Sequence, residues 1–393
     1  MDKNSILEIP YGTRDYLPEK AIQKRTIENK FAHIFSDWGY DEIVTPTIEY
    51  IDTLSRGNSN NLERDLFKLV GAGNRTLALR HEMTTPIARV VSSRLKDEKL
   101  PLKLSYVSNV YRQEQTQKGR QCEFYQAGVE LMGGYGAEAD AEVIALAIES
   151  IKANGLKEFS LCLGQVDFVL GLLEQYNLTT EYIENITSAI EKRDLVELTS
   201  VVDDLNISES AKENIKGIPM LYGGDDVLKS AYNMAIGVRT KRALDNISEI
   251  YEILKCYGVD EFVTFDLGLI RNFSYYTGTV FEAYTAGLGY PICGGGRYDN
   301  LLADFGNPCP ATGFAIGIER LMLALKKHKP TKYKKPRDYF ISYAEGKFKE
   351  AVIKARELRA QGNSVELSMT AQAESEAMKY KDLRNCLELL YVK

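Results

Sequence analysis

Between Leu267 and Glu282 the chain reads Leu-Gly-Leu-Ile-Arg-Asn-Phe-Ser-Tyr-Tyr-Thr-Gly-Thr-Val-Phe-Glu, and Gly294-Gly295-Gly296-Arg297-Tyr298-Asp299 follows soon after. Arg271, Tyr275 and Tyr276, close to a run of glycines, are the parts needed to hold a small zwitterion. The guanidinium and the phenolic hydroxyls are fixed donors, and consecutive glycines let a ligand lie directly on backbone. The same residues also suit a Gly-rich β-hairpin with tyrosines packed on a sheet, so local composition leaves the two readings level. Other stretches set charge at short spacing: Arg80-His81-Glu82-Met83-Thr84, Tyr111-Arg112-Gln113-Glu114, Gln126 with Glu130, and Glu319-Arg320. Carboxylates beside an ammonium or imidazole stabilise its charged form. Arginine grips carboxylates and phosphates through paired, charge-assisted hydrogen bonds. Taken singly, each of these glutamates is equally a surface ion pair.

Such side chains need a scaffold, and 393 residues with 44% hydrophobic content can bury a full core in two or three domains. The net charge of −6 offers no electrostatic footprint for nucleic acid. Six scattered cysteines with no C-x-x-C pair, and only three histidines, point to buried thiols in a reducing compartment, with no metal or cofactor expected. Met-Asp-Lys-Asn-Ser does not open a signal peptide, and no run approaches 18 apolar residues, so a cytoplasmic chain without a membrane span is expected.

Pro18 suits the first turn of a helix that should run to Trp38, with Ile27, Phe31, Ile34, Phe35 and Trp38 on one face. Glu42–Pro46 reads as a strand. Arg64–Val70 and Thr76–Arg80 alternate like paired strands around the turn at Gly71–Asn74. A helix after Pro86 carries Ile87, Val90, Val91 and Leu95 inward. Strands Leu102–Tyr111 and Glu123–Met132 flank a polar loop, and strand, loop and strand recur from Phe262 to Ile292. Phe314, Ile318 and Leu321 sit on a helical period and predict a helix over Thr312–Leu325. Hairpin-connected strands with helices at intervals predict a mixed, mainly antiparallel sheet. Residues 166–260 turn charged and helical, which predicts an inserted helical subdomain. The basic stretch 326–337 reads as a solvated linker. Residues 338–393 alternate strand and helix, as a small parallel α/β unit does.

In order along the chain, these segments resemble the three motifs of class II aminoacyl-tRNA synthetases and the two histidine-recognition signatures of histidyl-tRNA synthetases. The resemblance spans residues 11–325. It is closer still to the synthetase paralogues that serve as regulatory subunits of short-form ATP phosphoribosyltransferase. It implies an α+β fold: a synthetase-like core in two parts (1–165 and 261–325), a helical insertion (166–260), a linker (326–337) and a truncated anticodon-binding-like domain (338–393). It also implies a histidine pocket of Glu82, Thr84, Arg112, Gln126, Glu130, Arg271, Tyr275 and Tyr276. A vestigial ATP site would consist of Arg112, Glu114 and Arg320.

Departures from the synthetase pattern bear on which branch this is. Ser274 stands where an acid usually precedes the tyrosine pair, and Met83 replaces the glycine of a Glu-Gly-Thr. Gln121-Cys122 lacks the second arginine of the loop over ATP, and Thr116 stands where proline is usual. Losing cation from that loop weakens charge stabilisation in the transition state. The tail is about a strand, a helix and a strand short of a full anticodon-binding domain. The branch so implied is non-catalytic. It is required by a short catalytic subunit in the first step of histidine biosynthesis, confers inhibition by histidine, and works as a homodimer within a hetero-octamer without tRNA. A working histidyl-tRNA synthetase is the alternative, supported by Arg112, Glu114, Arg271 and Arg320.

Overall fold

Strands Leu102–Tyr111 and Glu123–Met132 form the long hairpin at the heart of the molecule. They pair antiparallel from Leu102 opposite Met132 to Tyr111 opposite Glu123. β-Branched and aromatic residues such as Tyr106, Val107, Val110, Phe124, Tyr125 and Val129 suit a pleated, half-buried surface. The computed structural model describes residues 6–57, 65–113, 121–270, 276–328 and 336–393. Onto the hairpin, strands Ala311–Gly317, Cys293–Arg297, Thr279–Tyr284, Ser160–Gln165, Val263–Asp266 and Tyr222–Gly223 add in that spatial order, and Asp41–Glu42 closes the other edge. The pairings of Asp41–Glu42 with Leu102–Tyr111 and of Ser160–Gln165 with Val263–Asp266 are parallel, and the others in this sheet are antiparallel. This is the mixed, mainly antiparallel sheet expected from the hairpin pattern.

Because side chains alternate across a sheet, register decides what each face carries. One face presents Val129, Leu131, Leu163, Phe265, Phe281, Phe314 and Ile316 to the helices Pro18–Asp37, Gly136–Ala153 and Val238–Tyr257, and together these make the main core. Phe35 meets Phe314 edge-on at 5.9 Å. The opposite face carries Tyr106, Gln126, Gly128 and Glu130 on the hairpin, then Gly313 and Ala315, then Gly294 and Gly296 across from them. Small residues on three neighbouring strands leave that face open at its centre.

The helix at Pro18 runs to Asp37 and buries Ile27, Phe31 and Phe35, and the one at Thr84–Ser93 buries Ile87 and Val91. The expected strand at Glu42–Pro46 is shorter: only Asp41–Glu42 pairs, and Val44 is 80% exposed. The helix expected over Thr312–Leu325 is wrong at its start. Ala311–Gly317 is a strand, and the helix runs over Ile318–His328. Phe314, Ile318 and Leu321 do share a helical spacing, but Phe314 and Ile316 enter the core by strand alternation. Helix Gly136–Ala153, buried on nearly every side, has no amphipathic stripe to reveal it. The charged region folds as helices Thr180–Lys192, Leu195–Asp203, Glu209–Gly217, Asp225–Met234 and Val238–Tyr257.

Residues 1–330 form one compact unit and 331–393 a second. The second is a parallel three-stranded sheet, with Arg337–Tyr343 between Val365–Leu367 and Cys386–Val392, and with helices Phe348–Ala360 and Glu374–Leu383. No helix among the described residues is long and apolar enough to cross a membrane.

Candidate functional site

The open centre of the sheet is the floor of a cleft that holds about 1030 Å³ of empty space when its open mouth is counted. Glu82, Thr84, Arg112, Gln126, Glu130, Tyr276 and Arg320 all line it. The expected site residues Glu114, Arg271 and Tyr275 lie outside the described residues, as do Ser274 and Thr116.

Glu130 is the deepest of these groups, 2% exposed. Thr84 Oγ1 donates to its Oε1 at 2.8 Å, and the Tyr298 hydroxyl donates to Oε2. Gly313 lies directly across the strand pair, and a β-carbon there would collide with the Glu130 carboxylate and the Val129 carbonyl. Glycine at 313 is what makes room for the acid. Burial pushes the Glu130 carboxyl up to about 8. The hydrogen bonds from Tyr298 and Thr84 pull it down, and Glu82 pushes it up further.

Glu82 plays a second part that its spacing did not announce. Its carboxylate accepts the backbone N–H of Thr84 at 2.6 Å and of Thr85 at 3.0 Å, at the first turn of helix Thr84–Ser93. A negative charge there satisfies orphan amides and complements the helix dipole. Met83, in place of glycine, is buried in a small core with Ile87, Tyr106 and Tyr298 beneath the cleft wall.

The two cleft arginines are held by backbone. Arg112 Nε donates to the His81 carbonyl at 2.9 Å, and Arg320 Nη1 donates to the Pro291 carbonyl at 2.7 Å. The Arg112 guanidinium lies over the Phe124 ring at 5.3 Å and that of Arg320 over Tyr290 at 5.0 Å. Glu319, 7% exposed, accepts from the Tyr16 hydroxyl at 2.6 Å and from the Tyr125 N–H at 3.0 Å, so it ties the N-terminal segment to the cleft rim. Burial raises its pKa as well.

Arg297, from the triple-glycine motif, faces away from the ligand space. Its Nε and Nη2 each meet Asp140 at 3.0 Å, Nη1 and Nη2 bond the Gly134 and Gly136 carbonyls at 3.1 Å, and Nη1 reaches Asp299 at 3.2 Å. It is a strut between the Gly-rich strand and helix Gly136–Ala153. Gly294 of the same run lines the cleft, and the next two glycines have a packing role as well. Side chains at Gly295 and Gly296 would strike Phe281 and Tyr276 together with neighbouring backbone, so these two make room for aromatic rings. Tyr298, Tyr106 and Glu319 line the cleft without having been assigned to the site in sequence, although Glu319 was noted beside Arg320. Tyr298 sat inside a quoted motif, whereas only strand register could have found Tyr106.

Two titrations here have opposite signs. Glu130 is raised from 4.5 to about 8, so its contribution to stability is full below its unfolded value and is lost as pH rises through about 8. His81, buried among protein atoms, is lowered from 6.5 to about 4, so its contribution is full above 6.5 and is lost as pH falls towards 4. Glu130→Gln is therefore expected to be more stable than the wild type at pH 8 by more than about 1.4 kcal/mol, the worth of a tenfold change in proton affinity. The two should converge below pH 4.5. Equal denaturation midpoints at both pH values would refute this.

Residues 12–321 match the family model described as histidyl-tRNA synthetase. The chain is 41% identical over 378 residues to the ATP phosphoribosyltransferase regulatory subunit of Moorella thermoacetica, covering 96% of each chain. It is 42% identical to that of Thermoanaerobacter pseudethanolicus, covering 92% of this chain and 94% of the other. Among solved structures it is similar to an ATP phosphoribosyltransferase regulatory subunit/histidyl-tRNA synthetase from Bacillus halodurans, with 38% identity, a TM-score of 0.88 and 99% of both chains covered. A histidyl-tRNA synthetase from Nostoc shares the fold at 20% identity and a TM-score of 0.82. End-to-end identity near 40%, on a class II synthetase-like fold, places the chain in the family of ATP phosphoribosyltransferase regulatory subunits.

Proposed function

We propose that this chain is the non-catalytic regulatory subunit of short-form ATP phosphoribosyltransferase, acting in the first step of histidine biosynthesis in the cytoplasm. It activates a separate short catalytic subunit and makes the complex sensitive to histidine, with no aminoacylation of its own. The observation that carries the reading is the match to regulatory subunits over 96% of both chains. The cleft is consistent with it. Glu130, Thr84, Tyr298 and Gln126 offer a carboxyl, two hydroxyls and an amide to a small polar ligand. Tyr276, Arg112 and Arg320 in the cleft, and Arg271, Tyr275 and Glu114 by resemblance alone, are candidates for the same ligand or for a vestigial ATP site.

Mixing the purified chain with a short catalytic subunit tests this. Condensation of ATP with phosphoribosyl pyrophosphate should require both proteins and should fall on adding histidine. A catalytic subunit whose rate ignores this chain would overturn the proposal.

The rival activity, charging of tRNA, keeps some support from the retained Arg112 and Arg320. We expect none. Transfer of labelled histidine to its tRNA at ordinary enzyme concentration would decide for the synthetase.

A homodimer through the Ala21–Thr45 region is expected, because helix Pro18–Asp37 leaves Ile22 and the segment beyond it leaves Val44 exposed. Sedimentation should show a dimer at micromolar concentration, and a larger assembly only when the catalytic subunit is added. A monomer under those conditions would count against the interface.

A further inference from the structure

Two buried carboxyls share the cleft. Glu82 and Glu130 are 4% and 2% exposed, and both take a hydrogen bond from Thr84, Glu82 from its N–H and Glu130 from its hydroxyl. Burial and the nearby Glu82 carboxylate both oppose ionisation of Glu130. Glu82 has the helix N-terminus and two backbone amides to hold its negative charge. Glu130 has two neutral hydroxyls, and among the described residues no lysine or arginine pairs with it. Tyr106 on the facing strand and Tyr40 also feel its charge, and both are phenols held above their ordinary range by burial. The Arg112 Nε is committed to the His81 carbonyl.

We propose that Glu130 carries a proton in the empty cleft and hands it to a basic ligand, so that an imidazole entering neutral is held as an imidazolium ion against the Glu130 carboxylate. In the transfer the carboxyl O–H bond breaks and an N–H bond forms on the lone pair of an imidazole nitrogen. No proton is exchanged with solvent. Burial of the empty acid supports the starting state, since its pKa lies near 8. The Thr84 and Tyr298 hydroxyls, already donating, support the carboxylate that results. The inference rests on the reading that the cleft is the histidine site. It adds the chemical form in which histidine is held, and it favours ligands with a basic nitrogen over isosteric neutral rings.

The test uses the complex of this chain with its catalytic subunit at pH 7.5, where free imidazole, with a pKa near 6.5, is mostly neutral. Nitrogen-15 spectra of ring-labelled histidine should show both ring nitrogens protonated when bound. Infrared difference spectra should show the carbonyl band of a protonated carboxyl in the histidine-free complex and its loss on saturation. Glu130→Gln should lack that band and should bind histidine with a neutral ring at least 10-fold more weakly. The ring-nitrogen signal of the wild type stands even where the variant folds poorly. Saturable binding with a neutral ring and an unchanged carboxyl band would overturn the transfer while leaving the histidine site in place. Absence of saturable binding would overturn the histidine site and the transfer with it.

Discussion

Replacing Glu130 with alanine is expected to weaken inhibition of the assembled complex by histidine roughly 10- to 150-fold. The acid sits at the bottom of the cleft on the open face of the sheet, positioned by Thr84, Tyr298 and the absence of a side chain at Gly313. Losing one buried, charge-assisted hydrogen bond to a ligand costs on the order of 1.5–3 kcal/mol, which is that range of affinity. The inhibition constant is the measurement, with the uninhibited rate of the same complex as its internal reference. Alanine also strands the Thr84 and Tyr298 hydroxyls, so Glu130→Gln is the companion variant, because hydroxyls can rotate to accept from an amide. An inhibition constant that stays put in both variants would mean that the cleft is a relic and that histidine is sensed elsewhere in the assembly.

Arg297→Ala is expected to cost on the order of 3–5 kcal/mol of folding stability, because removing one partner of a buried pair leaves the other uncompensated. Asp140 is 1% exposed, and burial already drives its carboxyl up, with Arg297 pulling it back down. Thr279 donates to the same carboxylate at 3.0 Å, so the cluster joins strand Thr279–Tyr284, strand Cys293–Arg297 and helix Gly136–Ala153. Lysine is a poor substitute. It keeps the charge but cannot reach Asp140, Asp299 and the Gly134 and Gly136 carbonyls with one planar fork. Chemical denaturation of the three proteins measures the effect. Unchanged stability in Arg297→Ala together with a lost response to histidine would overturn the strut and give Arg297 a part in ligand binding instead.

Much of the scaffold was legible from the chain alone, since its signals are local. Strands Leu102–Tyr111 and Glu123–Met132 stand out at their true bounds because β-branched and aromatic residues run between polar turns. The helix at Pro18 declares itself by a start signal and a 3.6-residue stripe. The carboxylates and arginines of the cleft were also legible, through motif order, although they are spread over more than two hundred residues of chain. What failed was whatever depends on a neighbour distant in sequence. Thr312–Gly317 satisfies a helical spacing as written, and only pairing with Cys293–Arg297 on one side and Glu123–Met132 on the other makes it a strand. Helix Gly136–Ala153 carries no stripe because the sheet and the helical region bury it from several directions at once. Arg297 and Tyr298 are adjacent in one motif, yet strand alternation sends Arg297 to Asp140 and Tyr298 turns to Glu130. Residue type sets what a side chain is able to do, and that is written in the sequence. Which face it occupies, how dry that face is and which partner waits there are set by register and packing, and so the burial of Glu130, the capping role of Glu82 and the strut at Arg297 emerge only in the folded chain.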